Sequence, residues 1–490
     1  MESIPIKELL IDNNKDPYEK SKDLVQCIDK KVNELRFKKF INIISNKINV
    51  PKEVISFEIK QYLVRNHNFE ISKFKKVFNL NSIFFTSIIF CLSLLYIFFN
   101  SRKKNQKELC EIIFDEIESK DELLRIQEIK KNFSSFKMIT KEKKFNGKKN
   151  FFYFDYKNCD KDYLVSNFSY YGLGYLFEAL KFSIAEKTNY IPLVTQLIRK
   201  AIKYQTIFGQ IQSKYFYQEK HYTTSAIKNY LFKKNGGQVT SCGQKNIIHL
   251  HDTGFYISTD IFFSLGKKTF LTLKFCGAQV KKIIPVGSVY IEKKWLKSSK
   301  EKVPEYDIIN FGGNNIDKFS TNKDFFKNYY ETFKWMVKIS KKFPNLKIAI
   351  KHHFNLKQHD PIEAKILKNS NIKIIIAAGL PDKNYSYGYG FKTKFACTFA
   401  STLGYELIGH NKPCFFLDPK GKNIEFLNNE NYNDSWKIKS YEDFEQKVKN
   451  IFYKTKNNNV PEKIINNEDF CLKSDNTSRD ISLSLKKYKE

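Results

Sequence analysis

Residues 395–417 read FACTFASTLGYELIGHNKPCFFL. The run 395–399 has the length and apolarity of a buried strand, 403–409 those of a helix, and 414–417 those of a second strand. Strand, helix and strand in that order make a βαβ unit, because parallel neighbours need a crossover to join them. The same alternation extends outward. Upstream it gives strand 306–311, helix 325–342, strand 347–351, helix 362–368 and strand 372–378; downstream it gives helix 441–454. An earlier series places strands at 150–154, 215–217, 238–242, 255–258 and 282–286, with helices at 175–185, 191–204 and 224–233. A Lys/Ser/Glu-rich stretch, 292–302, separates the two series and reads as a linker. Two α/β domains with parallel sheets are expected, at 147–290 and 303–455.

Glycine divides the remainder. The first of the nineteen glycines is Gly147 and the last is Gly421. Residues 1–146 hold only three prolines (Pro5, Pro17 and Pro51) and are rich in Lys, Glu, Leu and Ile, so they read as a helical N-terminal region. Leu24, Val25, Ile28, Val32, Leu35, Phe40, Ile41 and Ile44 recur there near helical spacing. One run, 77–101, carries no charge, and its apolar heart is 83–99, IFFTSIIFCLSLLYIFF. At ~1.5 Å per residue that is the lower edge of what spans a hydrocarbon layer of ~30 Å. Lys73, Lys75 and Lys76 precede it and Arg102, Lys103 and Lys104 follow, a balance that gives no orientation. The segment is expected to associate with a membrane, either across it or in its plane; a helix buried in protein is the plain alternative. The polar tail, 456–490, is expected to be loose.

An apolar fraction of 42%, with 16% aromatic residues, excludes wholesale disorder. Lys plus Arg number 84 against 52 Asp plus Glu, a formal charge of +32. Only six of the 84 are Arg (Arg36, Arg65, Arg102, Arg125, Arg199 and Arg479), which leaves 78 Lys. Base readers lean on the planar Arg fork. The charge therefore reads as a solvated lysine coat, with general affinity for anionic surfaces as the second reading, and specific nucleic-acid binding is not expected. The nine cysteines form no Cys-x-x-Cys pair. Free thiols in a reducing, cytoplasmic compartment are expected, rather than a disulfide framework or a zinc site. The first residues, Met1 to Glu8, have neither the basic nor the apolar region of a signal peptide.

Ligands of open α/β sheets sit beyond the carboxyl ends of the strands. Two polar clusters fall there in the second series. One is Lys351-His352-His353-Phe354-Asn355; the other is Ala400-Ser401-Thr402-Leu403-Gly404-Tyr405-Glu406. Ser401 or Thr402 would cap the helix, and Gly404 would let a ligand approach the backbone. Unpaired N–H groups and the positive end of the helix dipole then make a phosphate seat. Glu406, one turn in, is placed to accept from a ribose hydroxyl. An ordinary cap followed by a surface glutamate is the plain alternative. The one Asp-x-Asp triplet, Asp160-Lys161-Asp162, reads as a solvated loop, and Tyr171-Gly172-Leu173-Gly174-Tyr175 is a weak candidate for acceptor or phosphate contacts.

The stretch 397–413 resembles the donor-site helix of GT-B glycosyltransferases, in particular those that build capsules and other surface polysaccharides, and of the CDP-glycerol glycerophosphotransferases. Their pattern is Ser-(Ser/Thr)-x-Gly-x-Glu, then a Gly-Lys-Pro-like step into the next strand. Here it stands as Ser401-Thr402-Leu403-Gly404-Tyr405-Glu406, then Gly409-His410-Asn411-Lys412-Pro413. Lys351-His352-His353 resembles their Lys-x-His-Pro, with His353 as the counterpart and Phe354 in place of proline. Val286-Gly287-Ser288 resembles the turn closing the first domain, though Val289-Tyr290 replaces the Arg that follows it. Gln244-Lys245-Asn246 is similar at one residue to a Gln-His-Gly step.

The resemblance implies two Rossmann-like domains (GT-B), the second binding a nucleotide donor and the first an acceptor. It implies Lys351, Ser401, Thr402, Gly404 and Glu406 as nucleotide- and phosphate-binding residues, with Lys351 or His353 adding charge at the leaving phosphate. No metal and no cofactor is expected beyond the nucleotide-sugar donor, which is a substrate. A base near the acceptor hydroxyl is needed: Glu219 and His221 come first, and His249, His251 and Asp252 next. The function expected is transfer of a sugar or polyol phosphate from a nucleotide-activated donor to a surface-polysaccharide or lipid-linked acceptor, at the inner face of the membrane. A UDP-sugar 2-epimerase-like enzyme of the same fold, or a non-catalytic basic membrane-tethered binding protein, is the alternative.

Overall fold

The computed structural model describes residues 17–69, 80–100, 107–155, 159, 172–246, 254–292, 304–312, 323–352, 360–375, 384–399, 401–419, 436–453 and 467–488. The chain forms two compact units. Unit 1 comprises residues 1–263, 270–284 and 481–490; unit 2 comprises 264–269 and 285–480.

Unit 1 opens with α1 (Pro17–Val32), α2 (Leu35–Ile48), α3 (Lys52–Phe69) and α4 (Leu80–Asn100). Strand β1 (Glu108–Asp115), α5 (Lys120–Lys130), β2 (Phe136–Thr140) and β3 (Phe151–Tyr153) follow, then α6 (Gly172–Ala185) and α7 (Ile191–Gln210). The unit continues with β4 (Ile211–Gln218), α8 (Ala226–Lys234), β5 (Val239–Gly243), β6 (Ser258–Ser264), α9 (Thr269–Phe275) and β7 (Gln279–Pro285). Its sheet runs β3-β2-β1-β4-β5-β6-β7. Chain order reverses at β1 and β4, the doubly wound arrangement, and β1 pairs in parallel with both β2 and β4.

Two of these strands overturn an expectation. β1 and β2 lie inside the region that scarce glycine marks as helical, and β1 is the strand around which the sheet is wound. Ile112, Ile113 and Phe114 are fully buried. Their burial on both faces, rather than local propensity, makes the segment a strand. The turn after β1 is fixed by a capping box. Ser119 Oγ accepts from the backbone N–H of Glu122 at 3.2 Å, and Glu122 Oε2 accepts from that of Ser119 at 3.0 Å.

β6 also starts later than the apolar run 255–258 suggests, because Asp260 is a strand residue. Its carboxylate is satisfied across the sheet by Thr240 N and Oγ1, at 2.9 and 2.8 Å, and by Lys233 Nζ at 2.8 Å. The core between sheet and helices centres on Phe208, Phe216 and Phe232, with ring centroids 5.2–5.3 Å apart.

The apolar run forms α4, and its face is divided. Ile83, Phe90 and Ile97 are buried in the core with α1–α3, α6 and α7, while Phe84, Phe85, Ile88, Ile89, Leu92, Leu95, Tyr96 and Phe99 point outward. Among the described residues no helix is long and apolar enough to cross a membrane. The spanning reading is thereby withdrawn, since α4 is held against protein along its length.

Unit 2 holds β8 (Ile308–Phe311), α10 (Lys323–Lys342), β9 (Ile348–Lys351), α11 (Pro361–Leu367), β10 (Lys373–Ile375), α12 (Asn384–Lys392) and β11 (Phe395–Thr398). Then come α13 (Thr402–Gly409), β12 (Cys414–Leu417), β13 (Lys437–Ile438) and α14 (Tyr441–Phe452); α15 (Thr477–Lys487) ends in unit 1. Its sheet runs β10-β9-β8-β11-β12-β13 with every pairing parallel. This is the doubly wound order of a dinucleotide-binding domain, with its switch between β8 and β11.

The described residues of the C-terminal tail, 467–488, are packed rather than loose. Phe470 and Cys471 are buried, Leu472 N donates to the Leu265 carbonyl at 2.8 Å, and Thr477 Oγ1 donates to the Val286 carbonyl at 3.0 Å. The sparse apolar residues of this tail hid the packing. Gly287 is required beside it: its φ is +84°, and a Cβ would collide with the Leu472 carbonyl.

Phe114→Ala should cost about 3–5 kcal/mol of stability, as for a fully buried aromatic. Leu109→Ala, at the start of the same strand and 75% exposed, should stay within about 0.5 kcal/mol. Urea denaturation midpoints check both; equal effects would contradict β1 as the central strand.

Candidate functional site

The carboxyl edge of the second sheet collects the residues of the sequence signature. In register, Phe311 of β8 lies between Lys351 of β9 and Thr398 of β11. Lys351 and the β11–α13 turn therefore stand at one end of the sheet, two strands or ~10 Å apart. Ser401 is the N-cap of α13, its Oγ accepting from Leu403 N at 3.3 Å, so Thr402 is the first residue of the helix. The expected choice between the two caps resolves to Ser401.

Gly404 is buried, and a Cβ there would come within 2.6 Å of the Phe416 ring in β12. Close helix-on-strand packing accounts for the glycine. Glu406 is likewise inside the protein. Ser288 Oγ donates to its Oε1, and Tyr387 OH of α12 lies 2.8 Å from Oε2 and 3.1 Å from Oε1. Tyr387 in turn stacks on Tyr290, with centroids 5.3 Å apart. The glutamate thus ties the 286–291 turn, α12 and α13 together. Two fragments of the signature, Val286-Gly287-Ser288 and Glu406, meet in one hydrogen bond. Tyr387 and Tyr290 escaped the sequence reading, because no spacing marks a tyrosine whose partner lies far along the chain.

Lys351 is 3% exposed and donates to the His352 carbonyl at 2.9 Å. Among the described residues no carboxylate pairs with it, and burial pushes its amine down from 10.5 to about 8. Beside it, His352 is fully enclosed. Its Nε2 lies 3.0 Å from Glu363 Oε2, and Tyr329 OH donates to Glu363 Oε1 at 2.8 Å. Gly312, after β8, leaves room for that imidazole: a Cβ would approach His352 Nδ1 to 2.7 Å. His353, expected to act here, lies outside the described residues, as do Asp160, Asp162, His249, His251 and Asp252.

Unit 1 has its own polar edge beyond β4 and β5. Glu219 is buried against the Arg125 guanidinium of α5; burial raises its carboxyl, and Arg125 opposes the rise. His221 is buried, and its Nδ1 accepts from Lys245 N at 3.2 Å. The structure thus brings Glu219 and His221 to the Gln244-Lys245-Asn246 step.

Beyond β1 lies a cluster that sequence reasoning missed altogether, since its strand was read as helix. The Asp115–Lys228 pair is wholly buried, and burial pushes the Asp115 carboxyl up against the pull of Lys228. Next to it, Glu116 receives Lys203 Nζ and Tyr204 OH, each at 3.1 Å. Among the described residues, no group of three or more His, Cys, Asp and Glu is placed to hold a metal ion.

No protein-family model matches the chain, and no curated protein matches it. Solved structures similar to it include S. aureus MnaA with UDP, at 10% identity and a TM-score of 0.42 over 77% of this chain and 96% of that one. UDP-GlcNAc 2-epimerase from Neisseria meningitidis bound to UDP-GlcNAc is similar at 12% identity and a TM-score of 0.42, over 77% and 100%. The wall teichoic acid polymerase TagF is similar at 10% identity and a TM-score of 0.41, over 88% and 97%.

An anion seated beside Lys351 would raise its pKa from about 8, so binding would take up a proton. Phosphate or nucleotide affinity should then be level below about pH 8 and fall by up to about tenfold per pH unit above it. Titrations from about pH 7 to about pH 10 check this. Lys351→Met should weaken binding and abolish the slope; an unchanged slope would place the anion elsewhere.

Proposed function

We propose that this chain is a GT-B-type transferase that moves a sugar, or a polyol phosphate, from a nucleotide-activated donor to a surface-polysaccharide or lipid-linked acceptor at the inner face of the membrane. One observation carries the reading: the Ser-Thr-x-Gly-x-Glu signature begins a Ser401-capped helix at the switch point of a doubly wound sheet, on the same edge as a buried lysine that no described carboxylate neutralises.

In this reading the donor phosphates meet the N-terminus of α13, whose dipole is worth about +0.5 charge. Charge builds on the leaving phosphate as its bond to the transferred group breaks, so α13 and Lys351 act more strongly on the transition state than on the bound donor. His353, in the segment after β9, is the further candidate for charge at that phosphate. Gly404 and Glu406 serve by holding α13 in place, through Phe416, Ser288 and Tyr387. On the acceptor side the hydroxyl oxygen bonds to the transferred group and its proton passes to a base. With Nδ1 of His221 accepting from a backbone N–H, its neutral ring carries hydrogen on Nε2. That favours Glu219 as the base, positioned by Arg125.

Calorimetry on the full chain with CMP, CDP, UDP and GDP tests the donor side. One nucleotide should bind, and Ser401→Ala/Thr402→Ala should weaken it about tenfold or more, which is about 1.4 kcal/mol. No binding to folded protein would end the donor-site reading. Free nucleotide released from the donor without acceptor would mark the epimerase-like reaction instead, and steeply salt-dependent DNA binding without nucleotide affinity the basic binding protein.

Glu219→Gln should keep nucleotide binding and lower transfer by roughly 100-fold or more. Unchanged transfer would remove Glu219 from the base role.

A further inference from the structure

The outward face of α4 is unlike the rest of the surface. Its eight exposed apolar side chains (named above) range from 39% exposure at Ile88 to 77% at Phe99. At 100° per residue they fill one continuous arc, and the buried Ile83, Phe90 and Ile97 occupy the opposite side. Isolated exposed apolar residues need no explanation, but a contiguous stripe this long marks a surface built to be covered.

Neighbouring helices add exposed apolar side chains. Phe177 and Ile184 of α6 are more than 60% exposed, and α6 packs on α4. Asn189, just beyond α6, donates to Thr86 Oγ1 of α4 at 3.1 Å. Leu35, 69% exposed at the start of α2, lies in the same region, since Arg36 Nη1 donates to the Ala185 carbonyl at 3.5 Å. Behind it, Phe37, Phe40, Phe182 and Tyr190 pack ring against ring at 4.1–5.8 Å.

The pattern of charge says what covers it. Between Phe177 and Ile184, at positions i, i+4 and i+7 of one helical face, stands the exposed Lys181. Arg36 is at the edge, 69% exposed, and the acid beside it, Glu186, is paired with Lys31 at 2.8 Å and with Arg36 at 4.0 Å. The helix itself carries no charge, and in sequence it is bracketed by Lys73, Lys75, Lys76 and by Arg102, Lys103, Lys104. Aliphatic and aromatic side chains interleaved and bordered with cations suit acyl chains below a layer of anionic headgroups.

We propose that the outward face of α4, with Phe177 and Ile184 of α6, is an in-plane docking surface for an anionic lipid bilayer. The helix lies along the interface, its inner side remaining in the protein core. This deepens the membrane part of the proposed function and rests on none of the donor-site chemistry.

Flotation of the full chain with vesicles of phosphatidylglycerol and phosphatidylcholine in roughly equal parts tests it, beside vesicles of phosphatidylcholine alone. The wild type should float with the anionic vesicles. Phe85→Glu/Leu92→Glu, which removes only outward side chains, should lose partition about tenfold or more while keeping its melting temperature. A Leu92→Trp variant should be quenched by brominated lipid, which surface electrostatics alone would not produce. Equal flotation of wild type and double variant overturns the proposal. So does failure of the wild type to float, including the case where it self-associates and the double variant does not, which would assign the face to a second copy. Nucleotide calorimetry on the same double variant keeps the two readings apart, since it should match the wild type whichever way flotation falls.

Discussion

Parallel pairing is the constraint on which the rest of this molecule depends. Each sheet is wound outward from its first strand, β1 or β8, and each buries that strand between neighbours on both sides. All carboxyl ends then emerge along one edge, and the polar residues there cannot all reach water. The structure answers with partners: Asp115 with Lys228, Glu219 with Arg125, Asp418 with Lys437, and His352 with Glu363. Buried pairs of this kind do little for net stability, because desolvation offsets their attraction. Their effect is positional, holding the chain at the ends of the strands.

Lys351 stands apart from that pattern. It sits at the same kind of edge, buried to the same degree, yet no described carboxylate pairs with it. Glu406 is the reverse case, a carboxylate in the signature whose oxygens are taken up by Ser288 and Tyr387. Gly404 and Glu406 thus shape the helix from within, whereas Lys351 keeps a buried amine that no described carboxylate meets. Spacing along the chain does not separate the two kinds.

The N-terminal helices show the same division on a larger scale. α4 is apolar all round in sequence, but one side is consumed by the core and the other is not. A helix so held behaves as an amphipathic element whose polar side has been replaced by protein.

Much of the second unit was legible from the sequence. The runs of β8, β9, β11 and β12, the helices α10, α11 and α13, and the Ser401-to-Glu406 turn follow from short apolar strands alternating with helical periods, because local pattern and tertiary burial agree there; α12 was not foreseen. In the first unit the helical spacing of α1 and α2, the short strand β3 and most elements from α6 onward were legible, whereas β1 and β2 were not. Glu108–Asp115 became the central strand through burial that no local preference announces, and Asp260 resembles a turn residue until Thr240 and Lys233 are placed beside it. Sequence by itself determined the α/β class, the lysine-rich charge and the residues at the strand ends. Tertiary structure alone decided which of those residues face inward, as Glu406 and Gly404 do, and which side of α4 stays outside. The reason is physical: a hydrogen bond such as Ser288 to Glu406 joins positions 118 residues apart. Chain distance carries no information about that separation until the sheet has closed it.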